Sequence, residues 1–293
     1  MKITDTNEKL KQIKCVGLVI KPNDTELAEH YNKIKDTLLK YGVELIVESK
    51  SAKLLGCESV SFENMCRRSD FLIALGGDGT LISLCRKSFE YEKPILGVYA
   101  GNLGFLTAIK FSEIEHFMDK IFKEKYRIDT RMMLEVSLHV KGKVQKIVAF
   151  NDIVFSRPRL SGMATIEAYI DNEIINSYHG DGLIVSTPTG STAYNVSAGG
   201  PVIYPLTKAL ILTPVCPHSL TQRSLVLPVN FEVKFKSSDS DTVIVVDGQD
   251  TYNMGDFDYV SIKIADNGAK LIHREDRNYF KVLKDKLHWG LKW

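Results

Sequence analysis

The run Phe71-Leu72-Ile73-Ala74-Leu75-Gly76-Gly77-Asp78-Gly79-Thr80 constrains the fold more than any other stretch of the chain. Five consecutive apolar residues predict a strand buried on both faces, the pattern of a parallel sheet. The run ends abruptly at two glycines. Thr80 then predicts the cap of a helix with Leu81, Leu84 and Phe89 on its apolar side. A strand that empties through a glycine turn into a helix is where open α/β sheets bind ligands. Glycine lets backbone approach a phosphate, and the helix N-terminus adds N–H donors and partial positive charge. Gly76, Gly77, Gly79 and Thr80 are therefore a candidate phosphate-binding loop. Asp78 is the discordant member, since a carboxylate repels phosphate. Holding a metal, accepting ribose hydroxyls and taking a proton from an attacking hydroxyl are all open to it. The plain alternative is a tight turn with a solvated Asp. Two glycines straight off a buried strand favour the functional reading.

The flanking chain fits a doubly wound sheet. Cys15 to Ile20 predicts a strand, and Asn23 or Asp24 caps a helix carrying Leu27, Tyr31, Ile34 and Leu38 on one face. Gly42 closes that helix and Val43 to Val47 is a second strand. A helix over Phe62 to Arg68 precedes the central strand, and Ile95 to Val98 follows Pro94. The order β-α-β-α-β-α-β is that of a parallel sheet. Ala100 to Leu106 is glycine-rich and belongs either to the ligand edge of that sheet or to a connecting loop with a Phe-Leu plug. Ser112 to Glu115 reads as a capping box for a helix through Lys123.

After Tyr126 the pattern becomes short strands with turns between them, at 134–140, 144–150, 153–155, 164–170, 174–178, 182–186, 224–227, 231–236, 243–246, 259–264 and 270–273. The expectation is an α/β N-terminal domain over residues 1–127 and a β-rich, sandwich-like domain over 128–273. A C-terminal tail, 274–293, with a helix at Tyr279 to Leu287, is expected to pack back on the first domain.

Composition removes several classes of function. A net charge of +2 over 293 residues gives no electrostatic footprint for nucleic acid or a membrane surface. Cys15, Cys57, Cys66, Cys85 and Cys216 are odd in number and contain no Cys-x-x-Cys pair. That argues against a disulfide framework or zinc site and for a reducing cytoplasm. No apolar run approaches ~18 residues, and the first residues are polar and charged, without a signal-peptide core. The histidines show no metal-ligand spacing; His179 alone stands out, two residues before Asp181.

The second informative stretch runs from Asp181 to Pro201. A buried strand again leads into small hydroxyl residues and glycine. Thr187, Thr189, Ser191, Thr192 and Ser197 suit phosphate, ribose or an adenine edge without adding charge. The alternative is a loop satisfying its own backbone; Gly199-Gly200-Pro201 tips the reading to function. Asn151-Asp152, alone, is a turn between β runs, and Asp247-Gly248-Gln249 an ordinary hairpin signal. No Walker A sequence and no Gly-x-Gly-x-x-Gly occurs. His273-Arg274-Glu275-Asp276 to Asn278 is faintly like a protein-kinase catalytic loop, but every other kinase landmark is missing, so it reads as surface.

Taken together, Gly76 to Thr80, Asn102-Leu103-Gly104-Phe105-Leu106, Asn151-Asp152 and Asp181 to Gly200 resemble NAD kinases, in the right order, from about residue 14 to 275. The glycine-aspartate turn also occurs in diacylglycerol and sphingosine kinases. The Ser-Thr-Pro-Thr-Gly-Ser-Thr-Ala-Tyr run is far more specific. The resemblance implies transfer of the ATP γ-phosphoryl to the 2′-hydroxyl of the adenosine ribose of NAD, with NAD between an α/β and a β-rich domain. It implies a divalent cation, Mg²⁺, used with ATP, and a homodimer or homotetramer. It makes Asp78 the catalytic aspartate, with Gly79, Asn102 and Phe105 on the substrate side. Asn151 and Asp152 match an Asn-Glu pair that holds ribose hydroxyls; here Asp is one methylene shorter. Asp181 falls near the nicotinamide amide, and Thr192, Ala193, Tyr194, Asn195 and Ser197 in the adenine and amide pocket. His179 stands where Arg or Lys is common, and Gln249 matches a substrate-side glutamine. A lipid kinase with the same turn, or a non-catalytic nucleotide sensor, are the rival readings; a polar pocket lining disfavours the first.

Overall fold

The computed structural model describes residues 8–21, 26–99, 104–157 and 162–289. The chain divides into two compact units, residues 1–130 with 269–293, and residues 131–268.

The first unit is built on a seven-stranded sheet in the order Glu44–Val47, Cys15–Ile20, Phe71–Leu75, Ile95–Tyr99, Ala269–Arg274, Tyr126–Arg131, with Ile109–Lys110 beside Ile95–Tyr99. Cys15–Ile20 runs parallel to both its neighbours, and Phe71–Leu75 parallel to Ile95–Tyr99. Parallel strands are covered on both faces, and every residue of Phe71–Leu75 and Ile95–Tyr99 is buried. Ile34 and Leu38 of one helix and Phe117 and Ile121 of another join Leu18, Ile73 and Leu96 in a single core. Each such side chain contributes roughly 1.5–3 kcal/mol when fully buried.

Several expectations are corrected here. The strand expected at 270–273 in the β-rich domain joins this sheet instead: Ala269–Arg274 runs parallel to Ile95–Tyr99, with Leu271 and Ile272 buried. Local pattern marks a strand but does not name its neighbours, which are chosen by packing. The unit boundaries accordingly fall after residues 130 and 268, not 127 and 273. The helix after the glycine turn spans Asp78–Lys87 with Gly77 as its cap, so Thr80 lies inside it. A Cβ on Gly76 would sit 2.5 Å from Thr80 Oγ1, which shows how tightly the turn folds onto its own helix. The capping box is set two residues earlier than expected: Glu113 accepts the Lys110 N–H, and Ser112 sits in a 3-10 turn, Phe111–Glu113. The cap expected at Asn23 or Asp24 lies outside the described residues. The C-terminal helix spans Tyr279–Leu287, and Asn278 Oδ1 accepts the Phe280 and Lys281 N–H groups.

The second unit is a sandwich of two six-stranded sheets. One has the order Glu173–Gly180, Ala164–Ile170, Val233–Ser237, Tyr259–Ile264, Leu134–Val140, Lys143–Ala149. The other has the order Leu225–Leu227, Leu210–Val215, Gly182–Ser186, Asp152–Ser156, Val243–Val246, Asp250–Asn253. Neighbouring strands are antiparallel. Inward residues from both sheets share one core, with Phe155 and Phe235 rings 4.9 Å apart. Gly182–Ser186 is buried along its whole length because its outer face is covered too. Ile184 packs there with Val154 and Val215 under Ala198.

Candidate active site

In the first unit the site begins at Asp78. Its carboxylate Oδ2 accepts the Phe105 N–H at 2.7 Å, and Oδ1 accepts those of Leu106 and Thr107 at 3.2 and 3.1 Å. The two glycine-rich motifs of this half thus close on each other. A side chain at Gly104 would displace that carboxylate, since an added Cβ would lie 2.1 Å from Asp78 Oδ1 and 2.3 Å from Cγ. A carboxylate has about four acceptor sites. Three are taken among the described residues, and Oδ2 can accept one more bond.

The other side of the same turn is held by a residue that no sequence motif marks. Arg277 Nη1 donates to the Leu106 and Thr107 carbonyls, each at 3.2 Å, and Nη2 donates to the Phe105 carbonyl. The stretch from His273 to Asn278 was expected at the surface. Glu275, Asp276 and Asn278 are exposed there, but His273 is 1 % exposed and Arg277 reaches inward, because the preceding strand is inserted in the parallel sheet.

In the second unit the site is built on Asn151-Asp152. Asp247 and Gly248, with φ of 49° and 65°, turn the hairpin between Val243–Val246 and Asp250–Asn253, as a type I′ turn requires. The Asp247 carboxylate accepts the N–H groups of Phe150 at 2.7 Å, Asn151 at 2.6 Å and Asp152 at 3.0 Å. Thr187 holds the carbonyl side: Oγ1 donates to Phe150 O at 2.9 Å and its N–H to Asn151 O at 2.9 Å. Gly190 presses on the same corner, where a Cβ would lie 2.1 Å from Asn151 O. Asp152 is buried and accepts the Tyr194 N–H. Burial first, and the Asp247 charge second, push its carboxyl up to about 7 in spite of that bond.

Much of the hydroxyl-rich run serves the loop itself. Ser191 Oγ donates to Pro188 O at 2.7 Å and accepts the Ile203 N–H at 3.0 Å. Asn195, expected in the ligand pocket, is fully buried and is a strut. Its Nδ2 donates to Ser191 O and Pro201 O at 3.0 Å, and its Oδ1 accepts from Thr213 at 2.7 Å. Thr189 Oγ1 is buried and has no hydrogen-bond partner among the described residues. Thr192 and Ala193 are half-buried, while Tyr194 and Ser197 are exposed.

The remaining candidates are dispersed. Gly77 and Gly79 are exposed, Gly76 is buried, and Thr80 and Phe105 are half-buried. His179 is exposed, its ring nitrogens 3.1 Å from Thr165 Oγ1 and 3.3 Å from Ser177 Oγ. Asp181 pairs with Arg157 at 2.7 Å. Gln249 is exposed, its N–H closing the hairpin on Val246 O at 2.9 Å. Asn102 lies outside the described residues. Among the described residues no group of three or more His, Cys, Asp and Glu side chains could hold a metal ion. No helix there is long and apolar enough to cross a membrane.

Comparison with known proteins agrees across both units. Residues 16–126 match the ATP-NAD kinase N-terminal domain and residues 150–274 the ATP-NAD kinase C-terminal domain. The NAD kinase of Sulfurimonas denitrificans is 48 % identical over 280 residues, which cover 96 % of this chain and 99 % of that protein. The NAD kinase of Wolinella succinogenes is 45 % identical over 282 residues, covering 96 % and 97 %. In fold, the chain is similar to a yeast NADH kinase complexed with NADH, with TM-score 0.87 at 24 % identity over 96 % of this chain and 89 % of that one. An NAD kinase from Archaeoglobus fulgidus in complex with ATP gives 0.76 at 23 % identity over 94 % and 98 %. An α/β unit with an aspartate on a glycine turn, joined to a β-sandwich, thus defines a phosphotransferase of the two-domain kind. The chain belongs to the NAD kinase family.

Proposed function

We propose that the chain transfers the γ-phosphoryl of ATP to the 2′-hydroxyl of the adenosine ribose of NAD, giving NADP. The relatives' activity supports the reaction, and the neighbours solved with NADH and with ATP support the substrates. The observation on this chain that carries the reading is the Asp78 carboxylate, gripped by three N–H groups with one acceptor position left on Oδ2. That is what orienting an uncharged alcohol needs. Phosphoryl transfer passes through a loose transition state in which the acceptor's proton leaves late. A fixed acceptor for that proton matters more than a strong base, and positioning and charge neutralisation carry most of the barrier reduction.

In this reading Gly76, Gly77, Gly79 and Thr80 present backbone at the start of the Asp78–Lys87 helix to phosphate. Phe105 stands on the substrate side of the same edge, and Asn102, outside the described residues, is assigned to the substrate by the resemblance alone. Asn151 and Asp152 hold ribose hydroxyls, and a carboxyl that titrates near 7 both donates and accepts there. Thr192, Ala193, Tyr194 and Ser197 serve the adenine and amide ends, with Asp181, His179 and Gln249 beside them. Mg²⁺ arrives with ATP as part of the substrate and supplies the positive charge that a Walker A lysine gives elsewhere. A cytoplasmic homodimer or homotetramer fits the family.

Incubation with NAD, ATP and Mg²⁺ should yield NADP. Asp78→Asn should keep the fold and NAD binding and lose ~10²-fold or more in kcat. No NADP with any nucleoside triphosphate or polyphosphate donor would leave a nucleotide sensor. Phosphorylated diacylglycerol or sphingosine in its place would assign a lipid kinase.

A further inference from the structure

We infer that Arg277 is a positioning residue for Asp78, locking from the carbonyl side the Phe105–Thr107 turn whose N–H groups grip that carboxylate. The inference rests on the proposed role of Asp78 and adds how the carboxylate is kept in place.

The geometry follows from the peptide bond. In a trans peptide the N–H and C=O point in opposite directions. The Leu106 N–H and Phe105 C=O belong to one peptide, and the Thr107 N–H and Leu106 C=O to the next. When the N–H groups converge on Asp78, these carbonyls are thrown to the opposite side. Partial negative charge gathers there and needs a donor with several N–H groups in one plane. A guanidinium has five in a fixed fork. Arg277 uses it on all three carbonyls of the turn, Phe105, Leu106 and Thr107.

The guanidinium is itself aimed from behind. Arg277 Nη1 lies 2.8 Å from His273 Nδ1. Arginine accepts no hydrogen bond, so Nδ1 is the acceptor and His273 carries its proton on Nε2. Nε2 faces Asp129 Oδ2 at 3.8 Å, and Asp129 Oδ1 lies 3.1 Å from Arg127 Nε. His273 and Asp129 are buried and sit on adjacent strands, Ala269–Arg274 and Tyr126–Arg131. The order of support therefore runs from sheet, through His273 and Arg277, to the turn and the carboxylate. Loosening its middle leaves the NAD contacts of the second unit in place but lets Asp78 drift, and drift of about 1 Å is enough to cost on the order of 10²-fold in rate.

The test is steady-state kinetics on Arg277→Lys and Arg277→Ala. An ammonium is a point charge and cannot meet three carbonyls and an imidazole at once. Both variants are expected to lose about tenfold or more in kcat, with KM for NAD changed less than about threefold. Millimolar guanidinium is expected to restore Arg277→Ala but not Arg277→Lys. Because both residues act on one carboxylate, Arg277→Lys on top of Asp78→Asn is expected to cost nothing further. Wild-type kcat in Arg277→Lys, or losses that multiply in the double variant, would overturn the inference. Amide hydrogen exchange at Phe105 to Thr107 reads the same contact without catalysis: faster exchange in Arg277→Lys supports it, unchanged exchange overturns it. If the wild-type protein makes no NADP, the proposed function falls, and the exchange result still decides this point.

Discussion

The two units use one device twice. In each, a carboxylate collects the N–H groups of three successive residues: Asp78 those of Phe105 to Thr107, Asp247 those of Phe150 to Asp152. What backs each gripped segment differs. Behind the first stands a guanidinium, Arg277. Behind the second stand neutral groups, the Thr187 hydroxyl and N–H, and beside it lies a second carboxyl, Asp152. Charge is balanced in the first grip by an arginine. In the second it is relieved by keeping a proton on Asp152 up to near neutrality. Both grips serve the proposed chemistry. In the proposed reaction one fixes the group assigned to the reacting hydroxyl, and the other a corner assigned to binding.

Glycine substitutions strike each grip at its tightest point and give the largest expected effect on stability. At Gly190 the added Cβ meets backbone, Asn151 O at 2.1 Å with Asn151 C at 2.5 Å, and neither can step aside without moving a strand end. Gly190→Ala should cost about 3 kcal/mol or more, within the range of severe overpacking, measured as a urea midpoint. At Gly104 the added Cβ meets a side chain, the Asp78 carboxylate. The carboxylate can swing, so Gly104→Ala should cost less stability but nearly as much kcat as Asp78→Asn. Equal destabilisation with normal kcat at both sites would erase the distinction between the grips.

How far the sequence announced this arrangement depends on the range of each contact. Phe71 to Leu75 was legible because a doubly covered strand is apolar without interruption, and Tyr279–Leu287 because its capping Asn and its period are local. Leu210–Val215 was not among the expected strands, and it carries a proline, Pro214, which disfavours a strand. It is tolerated because the neighbour Leu225–Leu227 pairs only as far as Leu212, leaving the Pro214 position without a ladder partner on that side. The Ser/Thr run showed many hydroxyls but not their partners, and for Ser191 and Thr187 those are the loop and the Asn151 corner. Asp78 stood out as a candidate from its neighbours in sequence. Asp247 and Arg277 could not be, because their partners lie 95 to 97 and 170 to 172 residues away. An Asp-Gly hairpin turn and a charged tail are what such residues look like locally.

A smaller effect is expected from replacing the second carboxylate. In Asp247→Asn the carbonyl oxygen can still accept the Asn151 and Asp152 N–H groups, but the amide NH₂ then faces the Phe150 N–H, donor against donor. One buried hydrogen bond is lost and one donor left unsatisfied, worth about 1–3 kcal/mol. Thermal or urea unfolding reads it. Because the corner moves rather than disappears, KM for NAD should rise more than kcat falls, the reverse of the Arg277 pattern. A fall in kcat alone would mean that the two grips do not divide binding from positioning.

The smallest effect is a pH dependence peculiar to the second unit. Asp152 is held at about 7 in the folded protein, against about 4 for an unfolded aspartate. Between those values the folded state keeps a proton that the unfolded chain has released, so stability falls as pH rises through that window and levels off above it. The loss between pH 6 and pH 8 should be about 1 kcal/mol. Asp152→Asn removes the titration, so the gap between wild type and variant should change by that amount across urea midpoints at pH 6, 7 and 8, whatever other groups contribute to both. A constant gap would mean that Asp152 is not protonated at pH 6. Burial is the larger cause of the shift and the Asp247 charge the smaller. Asp247→Asn should therefore shrink the pH dependence without abolishing it, whereas complete loss would make the neighbouring charge, not desolvation, the force that holds the proton on this corner.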